Sequence, residues 1–304
     1  MLKFTIRIAL AALLFAGLAA CSEKPGESAA PATATADTPD GAILRSAALL
    51  KAGDIAGLME HSLPPAEFAA AKAEWTRDAN STPVTEEERQ KFAATMQKLT
   101  APGAEAALFA EIEPQLQAFD AQYEQQVPMY VAMGSGWLQG MVQENKDLSP
   151  EARKQAIDAI NAVGEWVKTT RFTDPDAVKK VVAITVEAAR AIDLHSLDQA
   201  RALSFEQSMQ KMRIAFLAVK KALAVYGFDL DRMLDSVKPE VISNDGKTAR
   251  VRIGYTLFGA PLSGEVDMLA IDGHWYGKDA VERLKQTAAE DHATGGEPTA
   301  AGSD

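Results

Sequence analysis

The stretch Ser204–Phe258, SFEQSMQKMRIAFLAVKKALAVYGFDLDRMLDSVKPEVISNDGKTARVRIGYTLF, decides the fold, because its apolar spacing changes midway. Phe205, Met209, Met212, Phe216, Val219, Leu223 and Tyr226 step by four and three residues. That spacing puts them on one face of a helix packed as in a bundle. Ser204 with Gln207 forms a capping box at its start, and Gly227 is placed to end it. After Pro239 the period becomes two. Ala249, Val251, Ile253, Tyr255 and Leu257 alternate with Arg250, Arg252, Gly254, Thr256 and Phe258, the pattern of a strand with one buried face. A bundle helix thus runs into a sheet, and the chain reads as α+β, mostly α: a helical bundle with a small C-terminal antiparallel sheet and a closing helix.

Working outward toward the C-terminus, Asp245-Gly246 and Asp272-Gly273 are hairpin signals. They predict strands near 239–244, 247–258, 264–271 and 274–277, and then a helix from Lys278 to about Thr287. Toward the N-terminus, apolar residues recur at helical spacing for nearly two hundred residues. Stripes are formed by Leu108, Ile112, Leu116, Phe119 and Tyr123, by Ile157, Ile160, Val163 and Val167, and by Val178, Val181, Val182, Thr185, Ala189 and Ile192. Thr85 with Glu88 forms a second capping box. Ser149-Pro150 and Asp174-Pro175 each set a capping side chain before a proline at the first helical position. Pro114 is expected to kink its helix.

The first twenty residues, MLKFTIRIALAALLFAGLAA, run from a positive start through an apolar middle to small residues, the order of a secretory signal. Leu18-Ala19-Ala20-Cys21 resembles the lipobox of bacterial lipoproteins. The resemblance implies a diacylglyceryl group on the Cys21 thiol, cleavage before that cysteine, and a chain held on a membrane by lipid. Ser22, where aspartate would favour inner-membrane retention, implies the outer membrane facing the periplasm. Cys21 is the sole cysteine of the chain, and lipidation accounts for a lone thiol in an exported protein.

Composition gives the remaining boundaries. Residues 1–20 read as signal peptide and 21–40, rich in Ala, Thr, Ser and Pro, as a flexible tether. Residues 41–238 read as the helical region, 239–290 as sheet plus helix packed with 41–61, and 291–304 as a disordered tail. Lys3 and Arg7 are the leader's only charges, so its removal takes the formal net charge from −11 to −13. An acidic body is a poor partner for nucleic acid. It is not drawn to anionic lipid either, so lipid on Cys21 must do the anchoring.

Gly246-Lys247-Thr248-Ala249-Arg250-Val251 and Asp272-Gly273-His274-Trp275-Tyr276, with Leu49-Leu50-Lys51-Ala52-Gly53-Asp54 at the front, resemble small exported lipoproteins with a nuclear-transport-factor-2-like, or cystatin-like, sheet. The long helical middle departs from that family and would be an insertion. A pocket on such a sheet, covered by helices, would be lined by Tyr255, Phe258, Trp275 and Tyr276.

No catalytic constellation stands out. His61, His195, His274 and His292 are scattered, without the paired spacing of a zinc site. Asp229 and Asp231 are open to metal or acid/base work, and also to a simpler reading in which Asp229 caps a short helix. Glu86, Glu87 and Glu88 suit a helix N-terminus. Between Val127 and Gln143, Met129, Met133 and Met141 lie near one helical face, interrupted by Gly134, Gly136 and Gly140. That segment reads as a deformable core face, as a partner-binding groove, or as soft thioethers for Cu(I). Neither a nucleophilic serine motif nor a glycine-rich phosphate loop is found. The expectation is a non-enzymatic lipoprotein with no cofactor and no metal that binds another envelope protein or a cell-wall component; the alternative is a small-molecule or lipid binder.

Overall fold

The structure, a computed structural model, describes residues 38–283 except 82 and 147. Cys21, the leader, the tether up to residue 37, the closing helix beyond 283 and the tail lie outside the described residues. Among the described residues, ten helices precede the sheet: α1 Pro39–Ala52, α2 Ile55–Ser62, α3 Pro65–Ser81, α4 Glu86–Thr100, α5 Ala104–Glu144, α6 Pro150–Thr169, α7 Pro175–Ile192, α8 Leu197–Arg201, α9 Phe205–Val225 and α10 Leu230–Asp235. The strands are β1 Lys238–Asn244, β2 Thr248–Leu257, β3 Ala260–Ile271 and β4 His274–Gly277. A further helix, α11, is described over 278–283. The fold is α+β, mostly α.

Local chemistry explains most boundaries. Both capping boxes form, at Thr85 with Glu88 and at Ser204 with Gln207. Ser149, Asp174 and Asp229 each accept from a backbone N–H in the first turn of the following helix. The first helix begins earlier than composition suggests. Thr38 caps α1 and Pro39 is already helical, so the expected tether ends before 40. The signal is the capping residue before proline seen at α6 and α7, here hidden in Ala- and Thr-rich sequence. At the other end of α1, Gly53 takes φ 67°, its N–H bonds back to Leu49 and Leu50, and Asp54 caps α2.

The four strands form one antiparallel sheet in the order β1-β2-β3-β4. β4 follows the expected Asp272-Gly273 turn. The β2–β3 turn is tighter than expected: Leu257 pairs with Ala260, and Phe258 and Gly259 both have positive φ. Two left-handed residues in succession make the primed turn that suits hairpin twist. The two-residue turn is why β3 starts at 260 rather than 264. Ala249, Val251, Met268 and Trp275 pack from the sheet onto Ala42 of α1. The opposite face carries a cross-strand ladder, Arg250 with Asp267 at 2.8 Å and Arg252 with Glu265 at 3.0 Å.

In the helical part, α7 lies against α4, α5 and α9, and α9 also touches α2 and α3. Ile55, Phe205 and Met209 form a core, with Phe68 and Trp75 edge-on to the Phe205 ring at 6.0 and 6.1 Å. Two expected stripes rotate. On α7, Val186 is buried while Thr185 is exposed; on α9, Val219 is exposed while Lys220 is buried. The α5 helix is unbroken through Pro114 and Pro128.

The apolar side chains of its distal half do not form a core face. Met129, Met133 and Met141 are all more than half exposed or at half, and Trp137 between them is 67% exposed. The core reading of that segment is therefore corrected. The face of α5 that does pack lies on the other side of the helix, where α6 brings Gly164 against Val131 and Ser135.

Candidate functional site

A cavity of about 210 Å³ lies between α1, α2, α10, the sheet and α11. Its floor is the inner face of the sheet, Ile253, Tyr255, Val266, Met268 and Trp275, set on one side by strand alternation. Its roof is the inner stripe of α1, Ile43, Ala47 and Leu50, one turn apart. Met233, Leu234 and Val237 close one wall. The polar groups are few: Ser46, His61, Ser62, Tyr255 and Tyr276, with Asp279 and Arg283 contributed by α11. Largely apolar walls with a few polar groups are the usual make-up of a small-molecule site.

Each polar group has a definable state. Ser46 donates to the Ala42 carbonyl at 3.0 Å, which leaves its oxygen lone pairs as acceptors. One ring nitrogen of His61, Nε2, lies 2.9 Å from the same carbonyl and so holds the imidazole against α1. The Tyr255 hydroxyl makes no hydrogen bond among the described residues, and burial pushes it above the ordinary tyrosine range. It stays a neutral donor. Tyr276 is raised too, by burial first and then by Asp272 and Glu67.

Three of the four expected pocket residues, Tyr255, Trp275 and Tyr276, line this cavity. Phe258 does not. Its positive φ at the β2–β3 turn carries it to a separate aromatic cluster, stacked on Trp166 at 4.8 Å and tilted against Phe228 at 5.0 Å. Trp166 Nε1 donates to the Tyr226 carbonyl at 2.8 Å, so this cluster joins α6 to the turn after α9. Sequence reasoning missed His61, Ser46, Met233 and Leu234. The front helix had been paired with the sheet, but nothing in its spacing says which side chains will face a gap.

The other titratable candidates have structural duties. Asp229 caps α10 at 3.0 Å. Asp231 accepts from the buried Lys220 at 2.5 Å, and the same ammonium donates to the Lys51 carbonyl at 2.6 Å, at the C-terminus of α1. A cation there suits the helix dipole. His195 pairs with Asp193 at 3.0 Å, and His274 is exposed. His292 lies outside the described residues. No three His, Cys, Asp or Glu among the described residues come together to hold a metal ion. No helix among them is long and apolar enough to cross a membrane. The chain matches no known protein family, no curated protein and no solved structure.

Proposed function

We propose that this chain is a lipid-anchored protein of the cell envelope, facing the periplasm from the outer membrane, that binds rather than catalyses. Its ligand is a small, mainly apolar molecule held between α1 and the sheet. The observation that carries this reading is the cavity of about 210 Å³ with Tyr255 on its floor. It is smaller than the ~300–1,000 Å³ of drug-sized sites, which suits a short acyl chain or a single ring. Apolar walls would supply affinity and the Tyr255 hydroxyl would orient one polar group. The anchor reading rests on Leu18-Ala19-Ala20-Cys21.

Two measurements test the two halves. Ala47→Trp fills the cavity from α1, and is expected to lower binding of an environment-sensitive apolar fluorophore at least tenfold, with helicity unchanged. A wild-type chain that neither binds such probes nor shifts its melting temperature across small apolar molecules ends the ligand reading. Cys21→Ser is expected to leave the leader uncut, read as a higher mass, and to remove fatty-acid label from the chain. A variant processed and labelled like wild type ends the anchor reading. A protein partner in the envelope is favoured by a different observation, the exposed apolar stripe on α5.

A further inference from the structure

Among the described residues, the distal half of α5 combines exposed large apolar side chains with a charge-free sequence. From residue 125 to residue 143 there is no charged side chain. Met129, Met133, Trp137 and Met141 follow at every fourth position, and Tyr130 lies one heptad before Trp137. All five are exposed. The neighbouring helix cannot cover them, because α6 packs on the other side. There, a Cβ on Gly164 would lie 3.1 Å from Ser135 Oγ and 3.3 Å from Val131 Cγ1, and Gln139 donates to Asn161 at 2.9 Å.

Gly136 and Gly140 sit in the outward stripe, three residues after Met133 and Trp137, and so beside them on the helix surface. A Cβ at either glycine would meet nothing within 4 Å. The single copy therefore has no steric use for them, although glycine weakens a helix relative to alanine. Glycines four apart let two helix backbones approach closely. The stripe thus carries both projections, Met133 and Trp137, and hollows, Gly136 and Gly140, within ~10 Å of helix.

We propose that this stripe docks on the same stripe of a second copy, as a two-fold helix pair crossing near Gly136 and Gly140. Self-complementary knobs and hollows on one patch are what a two-fold interface requires. The five large side chains are each half or more exposed, and a contiguous apolar patch of that kind marks an interaction surface. Charge argues the same way. The chain carries a formal −11, so two copies repel over most of their surface, and a charge-free segment is where they meet without like charges opposed. A lipid surface would use the methionines and Trp137 but would gain nothing from the glycines.

The test uses the full-length chain in intact cells. Gly136→Cys is introduced, a short bismaleimide is added, and products are read by mass on a denaturing gel. Wild type, with Cys21 alone, and Lys247→Cys on the exposed β1–β2 turn are the controls. At least tenfold more double-mass product from Gly136→Cys than from either control is expected. Adding Met133→Glu with Trp137→Glu is expected to abolish that product, with the abundance of the chain unchanged and its melting temperature unchanged at dilutions where single copies dominate. Gly140→Leu separates the occupants: it is expected to reduce the product at least fivefold, whereas a stripe lying on lipid would be strengthened by the extra side chain. Absence of the double-mass product, equal product from Lys247→Cys, a product of another mass, or indifference to Gly140→Leu would each overturn the proposal. Product from wild type would show Cys21 to be unmodified, which bears on the anchor reading alone.

Discussion

The α9 helix and the distal half of α5 have the same apolar grammar and opposite fates. Along α9, Phe205 and Met209 are 4% and 2% exposed, closed in by Ile55, Phe68 and Trp75. Along α5, Met133 and Trp137 are 65% and 67% exposed. The spacing is three and four in both. What differs is the company: α9 is flanked by α2, α3, α7 and α10, whereas α5 offers its outward face to none of the described elements. Periodicity states that a helix has an apolar face. It does not state what covers it.

Deleting one ring from each helix should have the most unequal effects. Phe205→Ala removes a side chain from a closed core and is expected to cost about 3–5 kcal/mol. Trp137→Ala, measured at dilutions where single copies dominate, is expected to cost less than ~0.5 kcal/mol. Chemical denaturation of both variants decides it. A cost for Trp137→Ala approaching that of Phe205→Ala would mean that the stripe is covered within one copy.

Neighbouring positions on α9 sharpen the point. Val219 fits the apolar stripe and is exposed; Lys220 does not fit it and is 8% exposed. The lysine is placed by its two acceptors, the Lys51 carbonyl and Asp231. Lys220→Ala leaves a helix-end carbonyl without its charged donor and is expected to cost about 2 kcal/mol. Val219→Lys is expected to be neutral within ~0.5 kcal/mol. If the order of the two effects reversed in thermal unfolding, the rotation of the α9 face would be wrong.

Glycines in the two regions should respond with opposite signs. At Gly53 the backbone is left-handed and a Cβ would lie 3.0 Å from Leu217 Cδ2. Gly53→Ala is expected to destabilise by about 1–2 kcal/mol, the cost of left-handed backbone in an L-residue. Gly134, in α5, has ordinary helical backbone and open space. Gly134→Ala is expected to stabilise by up to ~1 kcal/mol. Equal signs in a denaturant titration would remove the contrast.

These contrasts mark where the sequence was readable. Caps, hairpins and the change from helical to strand spacing depend on residues close together in the chain, and there Thr85 with Glu88, Asp229 and Asp272-Gly273 took the expected places. Phe258 failed because its neighbour Gly259 made an unrecognised primed turn that sent the ring toward Trp166. Of the cavity, the sheet floor at Tyr255 and Trp275 was legible from period two. The roof and walls were not, since Ala47 and Met233 are brought together by packing across about 190 residues of chain. The burial of Lys220 was illegible for the same reason: its acceptors lie in α1 and α10.

The smallest effect divides the two regions by charge rather than by packing. Glu206, in the first turn of α9, is held at about 2 by Lys72 at 2.5 Å, by its own backbone N–H and by the Ser204 hydroxyl. The ordinary value is 4.5, so unfolding raises the affinity of this carboxyl for protons. The stabilisation it gives is complete above that ordinary value and is lost as pH falls toward about 2. Wild type should therefore melt slightly above Glu206→Gln at neutral pH, and the gap should close between pH 4.5 and about 2. Trp137→Ala supplies the counterpart. Its segment has no charged residue from 125 to 143, so its small offset from wild type should stay flat over the same window. A gap for Glu206→Gln that persisted to the bottom of the window would show that the contact with α3 works through the Lys72 ammonium over the Phe205 ring, with the ion pair contributing nothing.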